Sequence, residues 1–297
     1  MTQTDWATIA SQITEVSGQA FTVVSTEPLS GGCINQAWRL NGKNESYFVK
    51  LNSVVHQDMF TAEMAGLWEI AATNTIAVPA PLCYGTTARQ SYLVLEYLDM
   101  RAGGSDLANE QFGEHLAAMH RCSMKQFGWS QDNTIGLTPQ INSAMDDWVQ
   151  FWAQHRLAYQ LQLAASNGHH GRLQQRGEKL LSVFETLFVG HNPQPSLLHG
   201  DLWAGNYSSM ADGRPVIFDP AVYYGDRETD LAMTELFGGF SPHFYQAYKG
   251  FWPLDDGYSI RKTLYNLYHI LNHLNMFGGG YLSQAEGMVD ELLAEMG

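Results

Sequence analysis

Between positions 197 and 219 short apolar runs alternate with polar turns in a way that leaves few folds open. Leu197-Leu198-His199-Gly200-Asp201-Leu202-Trp203-Ala204-Gly205-Asn206 is an apolar run that ends in a turn holding a His, an Asp and an Asn. Pro215-Val216-Ile217-Phe218-Asp219 then reads as a short buried strand ending in a carboxylate, and Asp212-Gly213 before it is a hairpin-type turn. The two segments therefore fold onto each other and leave Asp201, Asn206 and Asp219 at the mouth of one hairpin. Two oxygen-rich side chains converging beside a third acid suit a divalent cation on a phosphate ligand. The plainer alternative is a pair of polar turns flanking core strands, and the triple coincidence weighs against it.

The chain has 297 residues, room for two lobes. Hydrophobic residues make up 45%, which marks a globular protein, and charged residues only 15%, below the usual quarter. The net charge of −14 argues against a nucleic-acid backbone as partner and against an anionic membrane surface. An anionic nucleotide can enter only through local positive groups and Mg²⁺. Three widely spaced cysteines, Cys33, Cys83 and Cys122, fit free thiols in a reducing compartment better than a disulfide framework or a zinc site. The amino terminus lacks a basic region followed by an apolar run, and no window is apolar enough to span a bilayer. A cytoplasmic protein is expected.

In the first third, Thr4 or Asp5 can cap a helix with Trp6, Ile9, Ile13 and Val16 on one face and Gly18 at its end. Strands are expected at residues 21–24, 37–40, 47–51 and 91–98. Gly31-Gly32 lies between the first two, where it is either an ordinary hairpin turn or a loop whose N–H groups approach phosphates. Lys50 stands inside an apolar run, where a charge is costly unless paired. Glu63 shares a helical face with Phe60, Leu67 and Ile70, so it points inward and is the natural partner of Lys50. Each charge alone reads as a surface or snorkelling group; jointly they argue for an ion pair.

Residues 101–105 read as a flexible passage, and helices follow from 109. Residues 146–165 form a long aromatic helix whose stripe reads as core. His169 and His170 read as surface histidines, because no third metal ligand is near. One helix carries Leu173, Leu180, Phe184 and Leu187. Asp226 to Ala232 enters a helix with acids in its first turn, favourable to the helix dipole. The remainder, 244–296, is mostly helical.

The Asp201-to-Asn206 interval equals that of the protein-kinase motif H-R-D-x-x-x-x-N. The same interval would fit aminoglycoside and choline kinases. His199–Asn206, then Val216-Ile217-Phe218-Asp219-Pro220-Ala221 with Tyr224-Gly225, then Leu236-Phe237-Gly238-Gly239-Phe240 more closely resemble the fructosamine (ketosamine) kinases. Ser30-Gly31-Gly32-Cys33-Ile34-Asn35, Phe48-Val49-Lys50, Phe127-Gly128-Trp129, Ile135-Gly136 and Pro139-Gln140 extend the resemblance over nearly the whole chain.

The resemblance implies an α+β, two-lobed protein-kinase-like fold. Its small antiparallel-sheet lobe is expected at 1–98 and its larger, mainly helical lobe at 99–297. It implies ATP- and Mg²⁺-dependent phosphorylation of the C3 hydroxyl of ketosamines, free or on the lysines of glycated proteins. The product is unstable and frees the amine, a deglycation repair. Asp201 is then the proton acceptor, Asn206 and Asp219 the metal ligands, and Lys50, fixed by Glu63, the phosphate ligand. Gly31 and Gly32 cover the phosphates, and the main chain of Glu96 and Leu98 meets adenine. Trp203 lies along the acceptor sugar or packs the lobes together. Asp230 is expected to clamp the backbone near His199 to Asp201. Cys33 is either a thiol tucked under its loop or a redox-responsive thiolate. Other small alcohols as acceptors, or a nucleotide-binding pseudokinase, are the competing readings; the presence of Lys50, Glu63, Asp201, Asn206 and Asp219 argues against the latter.

Overall fold

The computed structural model describes residues 4–30, 34–101 and 104–296. Helix α1 (Trp6–Ser17) starts where the Asp5 carboxylate accepts the Thr8 N–H and stops at Gly18 in the left-handed conformation. Strands β1 (Ser25–Leu29), β2 (Gln36–Asn41) and β3 (Ser46–Ser53) follow, then helix α2 (Gln57–Ala72), then strands β4 (Pro81–Thr86) and β5 (Gln90–Glu96). They form an antiparallel sheet in the order β1-β2-β3-β5-β4.

Both faces of this sheet are covered, which explains why the middle of β5, residues 92–95, is apolar without alternation. Tyr92 and Val94 join Val49, Leu51 and the α1 residues Ile9 and Ile13 on one side. Leu93 and Leu95 pack with Phe60 and Leu67 of α2 on the other. Successive side chains on a strand alternate in direction. Lys50, between Val49 and Leu51, therefore faces α2, where Glu63 is buried.

Two sequence expectations shift in this lobe. Residues 21–24 are not a strand: Phe21 is buried against α1 with its N–H bonded to the Thr14 hydroxyl at 2.9 Å, and Val24 is 70% exposed. The strand lies just beyond, at β1. Strand β4 was not expected, because its run opens on a proline and contains a glycine. Pro81 is tolerated there because β4 is an edge strand and its first residue needs no ladder donor.

After β5 the chain leaves this sheet. Strand β6 (Met100–Arg101), which ends on the first residue of the passage expected to be flexible, pairs instead with the hairpin described below. Helix α3 (Asp106–His120) is capped by Ser105, whose hydroxyl accepts the Ala108 N–H. Strands β7 (Asn133–Ile135) and β8 (Thr138–Gln140) form a small hairpin. Helices α4 (Trp148–Trp152) and α5 (Tyr159–Ser166) continue each other through a π-helical turn, Ala153–Ala158, and together make the aromatic helix. Helix α6 (Arg172–Leu181) stops at Ser182, whose hydroxyl bonds the Lys179 carbonyl. Phe184 and Leu187 therefore sit in a separate 3₁₀ turn and not in the same helix.

Strand β9 (Ser196–Leu198) delivers the catalytic-type loop. Strands β10 (Tyr207–Met210) and β11 (Pro215–Ile217) make the expected hairpin, and β12 (Tyr223–Gly225) returns to pair with β9. Helices α7 (Glu228–Leu236), α8 (Pro242–Phe251), α9 (Tyr258–Phe277) and α10 (Tyr281–Glu295) complete the chain. One core joins them: Phe112, Trp152, Leu198, Tyr265 and Leu292 are all buried in it. No helix among the described residues is long and apolar enough to cross a membrane.

The helical part is tied to α2. Glu69 accepts from the Tyr224 hydroxyl at 2.6 Å, and the Ile217 N–H bonds the Ala77 carbonyl at 3.1 Å. Phe127-Gly128-Trp129 lies beside β12, where Gly128 and Tyr224 exchange both backbone bonds. These ties hold Glu63 in place over the cleft.

Candidate active site

A cleft of about 1060 Å³ runs between the sheet and the helical part, and Lys50, Glu63, Glu96, Leu98, Asp201, Trp203, Asn206 and Asp219 all line it. Gly31, Gly32 and Cys33 lie outside the described residues.

The loop after β9 is shaped by its glycines. Gly200 has φ +82°, and a Cβ there would stand 2.1 Å from the Ala221 carbonyl oxygen. This lets the His199 carbonyl accept the Ala221 N–H at 2.8 Å, so the loop presses against the segment just past Asp219. Gly205 lies under the Trp203 indole, and a Cβ would meet that ring at 2.3 Å.

His199 links the two halves of the hairpin. Burial pushes its ring below the ordinary histidine range, so it is neutral at pH 7. Nε2–H donates to the Phe218 carbonyl at 2.9 Å, and Nδ1 accepts the Asp201 N–H at 3.3 Å. This fixes Asp201 relative to Asp219. Behind it, Asp230 is buried and accepts the N–H groups of His199 at 2.7 Å and Gly200 at 2.8 Å. The His120 Nε2–H completes its shell at 3.1 Å, while His120 Nδ1 accepts from the Tyr248 hydroxyl at 2.8 Å. Burial opposes the charge of Asp230, yet these donors hold its carboxyl below the ordinary range. A carboxylate bonded this way organises backbone.

Asn206 turns its amide nitrogen to Asp201, bonding the main-chain carbonyl at 2.8 Å and Oδ2 at 3.2 Å. Its own carbonyl oxygen is left for the cleft. Asp219 has φ +59°, a conformation costing a non-glycine residue roughly 1–2 kcal/mol. That turn brings Oδ1 to 2.5 Å from Lys50 Nζ, while the side chain stays 43% exposed. Lys50 also meets Glu63 Oε1 at 2.5 Å. Burial opposes the ammonium, but the two carboxylates outweigh it and raise its pKa. An ammonium has three donors, so one remains. Asn206 Oδ1, the exposed Asp219 carboxylate and that remaining Lys50 donor fit a divalent cation and phosphate oxygens by donor chemistry.

Asp201 is an acid of the cleft whose carboxyl is strongly perturbed. Burial first, then the negative charge of Asp219, lift its carboxyl to about 7, against the Asn206 hydrogen bond. A general base works best with a pKa near the working pH.

At the strand-to-helix passage the Glu96 N–H is taken by the Ala80 carbonyl at 2.8 Å, and its side chain accepts the Ala80 N–H at 3.3 Å. Of its main chain, only the carbonyl remains to offer a base. Trp203 is 39% exposed, with its ring edge-to-face on Phe237 at 6.3 Å. It therefore stands at the cleft mouth.

Sequence reading missed the far wall. His269, Asn272, His273 and Met276 of α9 face the cleft, with Met233 of α7 and Asn133 of β7. Their intervals of three and four residues place them on one helical face. The recurrence of His269, Asn272, His273 and Met276 at that interval was the available signal.

Known proteins match the chain along nearly its whole length. A family model described as fructosamine kinase matches residues 5–295. The chain is 50% identical over 289 residues to the probable ketoamine kinase of Synechocystis, covering 97% of both chains. To the chloroplastic protein-ribulosamine 3-kinase of Arabidopsis thaliana it is 41% identical over 279 residues, covering 93% of this chain and 85% of that one. The crystal structure of a candidate fructosamine-3-kinase from Haemophilus somnus superposes with a TM-score of 0.89 at 30% identity, covering 97% of each chain. The choline kinase LicA of Streptococcus pneumoniae, at TM-score 0.68 and 14% identity over 98% of this chain and 99% of that one, shares the kinase-like fold. With a match from end to end and its motif residues gathered on one cleft, the chain belongs to the fructosamine kinase family.

Proposed function

We propose that this protein is an ATP-dependent kinase that phosphorylates the C3 hydroxyl of a ketosamine sugar. The observation that carries the reading is Lys50, held at 2.5 Å by both Glu63 and Asp219 in the cleft that also holds Asp201. The ketoamine and ribulosamine kinases among its relatives support the acceptor class. In this reading residues 1–98 form the nucleotide lobe and 99–297 the catalytic lobe.

Phosphoryl transfer is carried mostly by positioning and charge stabilisation. Asp201 orients the sugar hydroxyl and accepts its proton, helped by a carboxyl already lifted to about 7. Lys50 turns its remaining donor to the phosphates while Glu63 holds the ammonium. Asn206 Oδ1 and Asp219 would hold Mg²⁺, which would supply charge neutralisation for the phosphate oxygens. The Glu96 carbonyl and the Leu98 N–H meet adenine. His199 and Asp230 keep the loop in register without touching substrate. Trp203 lies along the acceptor. The ketosamine is free or carried on a protein lysine, and the cytoplasm is the place of action.

The test is incubation with ATP, Mg²⁺ and a panel of ribulosamine, erythrulosamine and fructosamine adducts, with choline and an aminoglycoside as controls. Phosphorylated ketosamine with subsequent release of free amine is expected. Turnover confined to the controls would refute the reading.

A further inference from the structure

On the far wall of the cleft one buried polar side chain makes no hydrogen bond among the described residues. Asn133 donates to the Val222 carbonyl and accepts from Gln140 and Asn142. Asn272 donates to the Ile135 carbonyl and accepts from Gln160. His273 Nδ1 bonds the His269 carbonyl at 2.8 Å. His269 is only 5% exposed, lines the cleft, and has no hydrogen-bond partner for either ring nitrogen among the described residues. Buried polar groups are almost always paired. Nδ1 is wholly enclosed, which leaves Nε2 as the nitrogen that opens on the cleft.

Burial, then the neighbouring His273, hold this ring down at about 3, so it is an uncharged imidazole at any working pH. Enclosed N–H groups without a partner are rarer than enclosed acceptors without one. The proton therefore sits on Nε2 and makes His269 a donor toward the cleft. The location is the acceptor end and not the adenine end. Trp203 of the catalytic loop touches Phe237, and Phe237 lies 5.1 Å from His273, one turn along α9 from His269.

We propose that His269 is the specificity-determining group of the acceptor subsite, its Nε2–H donating to a ketosamine sugar hydroxyl other than the one phosphorylated. This rests on the ketosamine kinase reading above. An uncharged donor set in a wall with Met233 and Phe237 selects a neutral polyol end. The ammonium of the adduct is then left toward the exposed Trp203 at the cleft mouth.

The experiment compares wild type, His269→Leu and His269→Gln. The readouts are acceptor KM, kcat, Mg·ATP affinity by titration, and melting temperature. Loss of one neutral hydrogen bond to substrate raises acceptor KM roughly ten- to hundredfold in His269→Leu, with kcat within a few-fold. ATP affinity and melting temperature stay at wild-type values, since the removed nitrogens had no protein partner. His269→Gln, which keeps an N–H, recovers part of the loss. A deoxy-ketosamine lacking the contacted hydroxyl loses the same factor in wild type and nothing further in His269→Leu. An unchanged acceptor KM in an otherwise active protein overturns this inference alone. A fall in melting temperature and ATP affinity together with KM assigns His269 to packing and also overturns it. A wild-type protein that turns over no ketosamine removes the function reading, and this inference with it.

Discussion

Lys50 Nζ stands 2.5 Å from Asp219 Oδ1 although the two residues are 169 positions apart. The same ammonium stands 2.5 Å from Glu63, so a single buried cation joins the sheet, α2 and the segment after β11. Removing one member of a buried pair leaves the other charge uncompensated, at a cost of about 3–5 kcal/mol, whereas an apolar replacement of both is often neutral. Lys50→Met is expected to lose stability on that order in urea unfolding. The double variant Lys50→Met/Glu63→Leu should regain most of it, yet neither should phosphorylate substrate. A double variant as unstable as the single one would show that Asp219, and not Glu63, is the dominant partner.

Asp201→Asn should slow turnover on the order of 10²–10⁴-fold while Mg·ATP affinity changes little, because the carboxylate acts on the acceptor hydroxyl. Near-normal turnover removes Asp201 from the role of proton acceptor.

The lifted carboxyl of Asp201 also has a stability signature. Its pKa is about 7 in the folded protein, above the unfolded value near 3.9. The folded state therefore binds the proton more tightly, and stability from this group falls as pH rises from about 4 through 7. In metal-free buffer Asp201→Asn should melt higher than wild type at pH 8, with the gap closing by pH 5. Parallel melting curves across that range contradict the assignment.

Asp230 has the opposite sign. Its carboxyl is held below the ordinary range, so its contribution is present above pH 4 and is lost as pH falls through its folded pKa. Asp230→Asn puts an amide where His199 and Gly200 donate, and should cost about 2–5 kcal/mol at pH 7 together with most of kcat. The deficit should shrink below pH 4. A variant with wild-type stability and kcat would mean that the loop holds itself.

Gly205→Ala is expected to push the Trp203 ring off the loop, since the added Cβ would otherwise lie 2.3 Å from it. A shift in tryptophan emission with a raised acceptor KM and unchanged ATP affinity is the expected result. The same KM change in Trp203→Ala would tie the effect to the ring, and an unaltered KM in both would return Trp203 to surface packing.

Much of the site could be read locally. The five-residue interval from Asp201 to Asn206 lies within one loop, and the hairpin turn at Asp212-Gly213 brings Asp219 back beside it. Alternation along β3 turned Lys50 away from Val49 and Leu51, and the helical period turned Glu63 inward. These are short-range periodicities, and a chain carries them wherever its elements are long enough to repeat. The elements missed were those too short or too punctuated to show a period: β4 with its Pro81 and Gly85, and the three-residue β12. The strand expected at 21–24 moved to β1 because a side-chain hydroxyl, Thr14, took the Phe21 N–H that a ladder would have used.

Tertiary structure alone decided which distant groups meet. Nothing in the order of residues says that Asp219 reaches Lys50, that Tyr224 holds Glu69 of α2, or that His120 stands behind Asp230. The far wall of the cleft is the clearest case. His269 sits in α9, near the end of the chain, and reads there as one polar residue in a helix. It becomes part of the site only because α7 and α9 pack so that Met233, Phe237 and His269 close the cleft opposite β3. Burial by packing is a property of three-dimensional neighbours, and it is what leaves the His269 nitrogens without a partner and its ring without a charge.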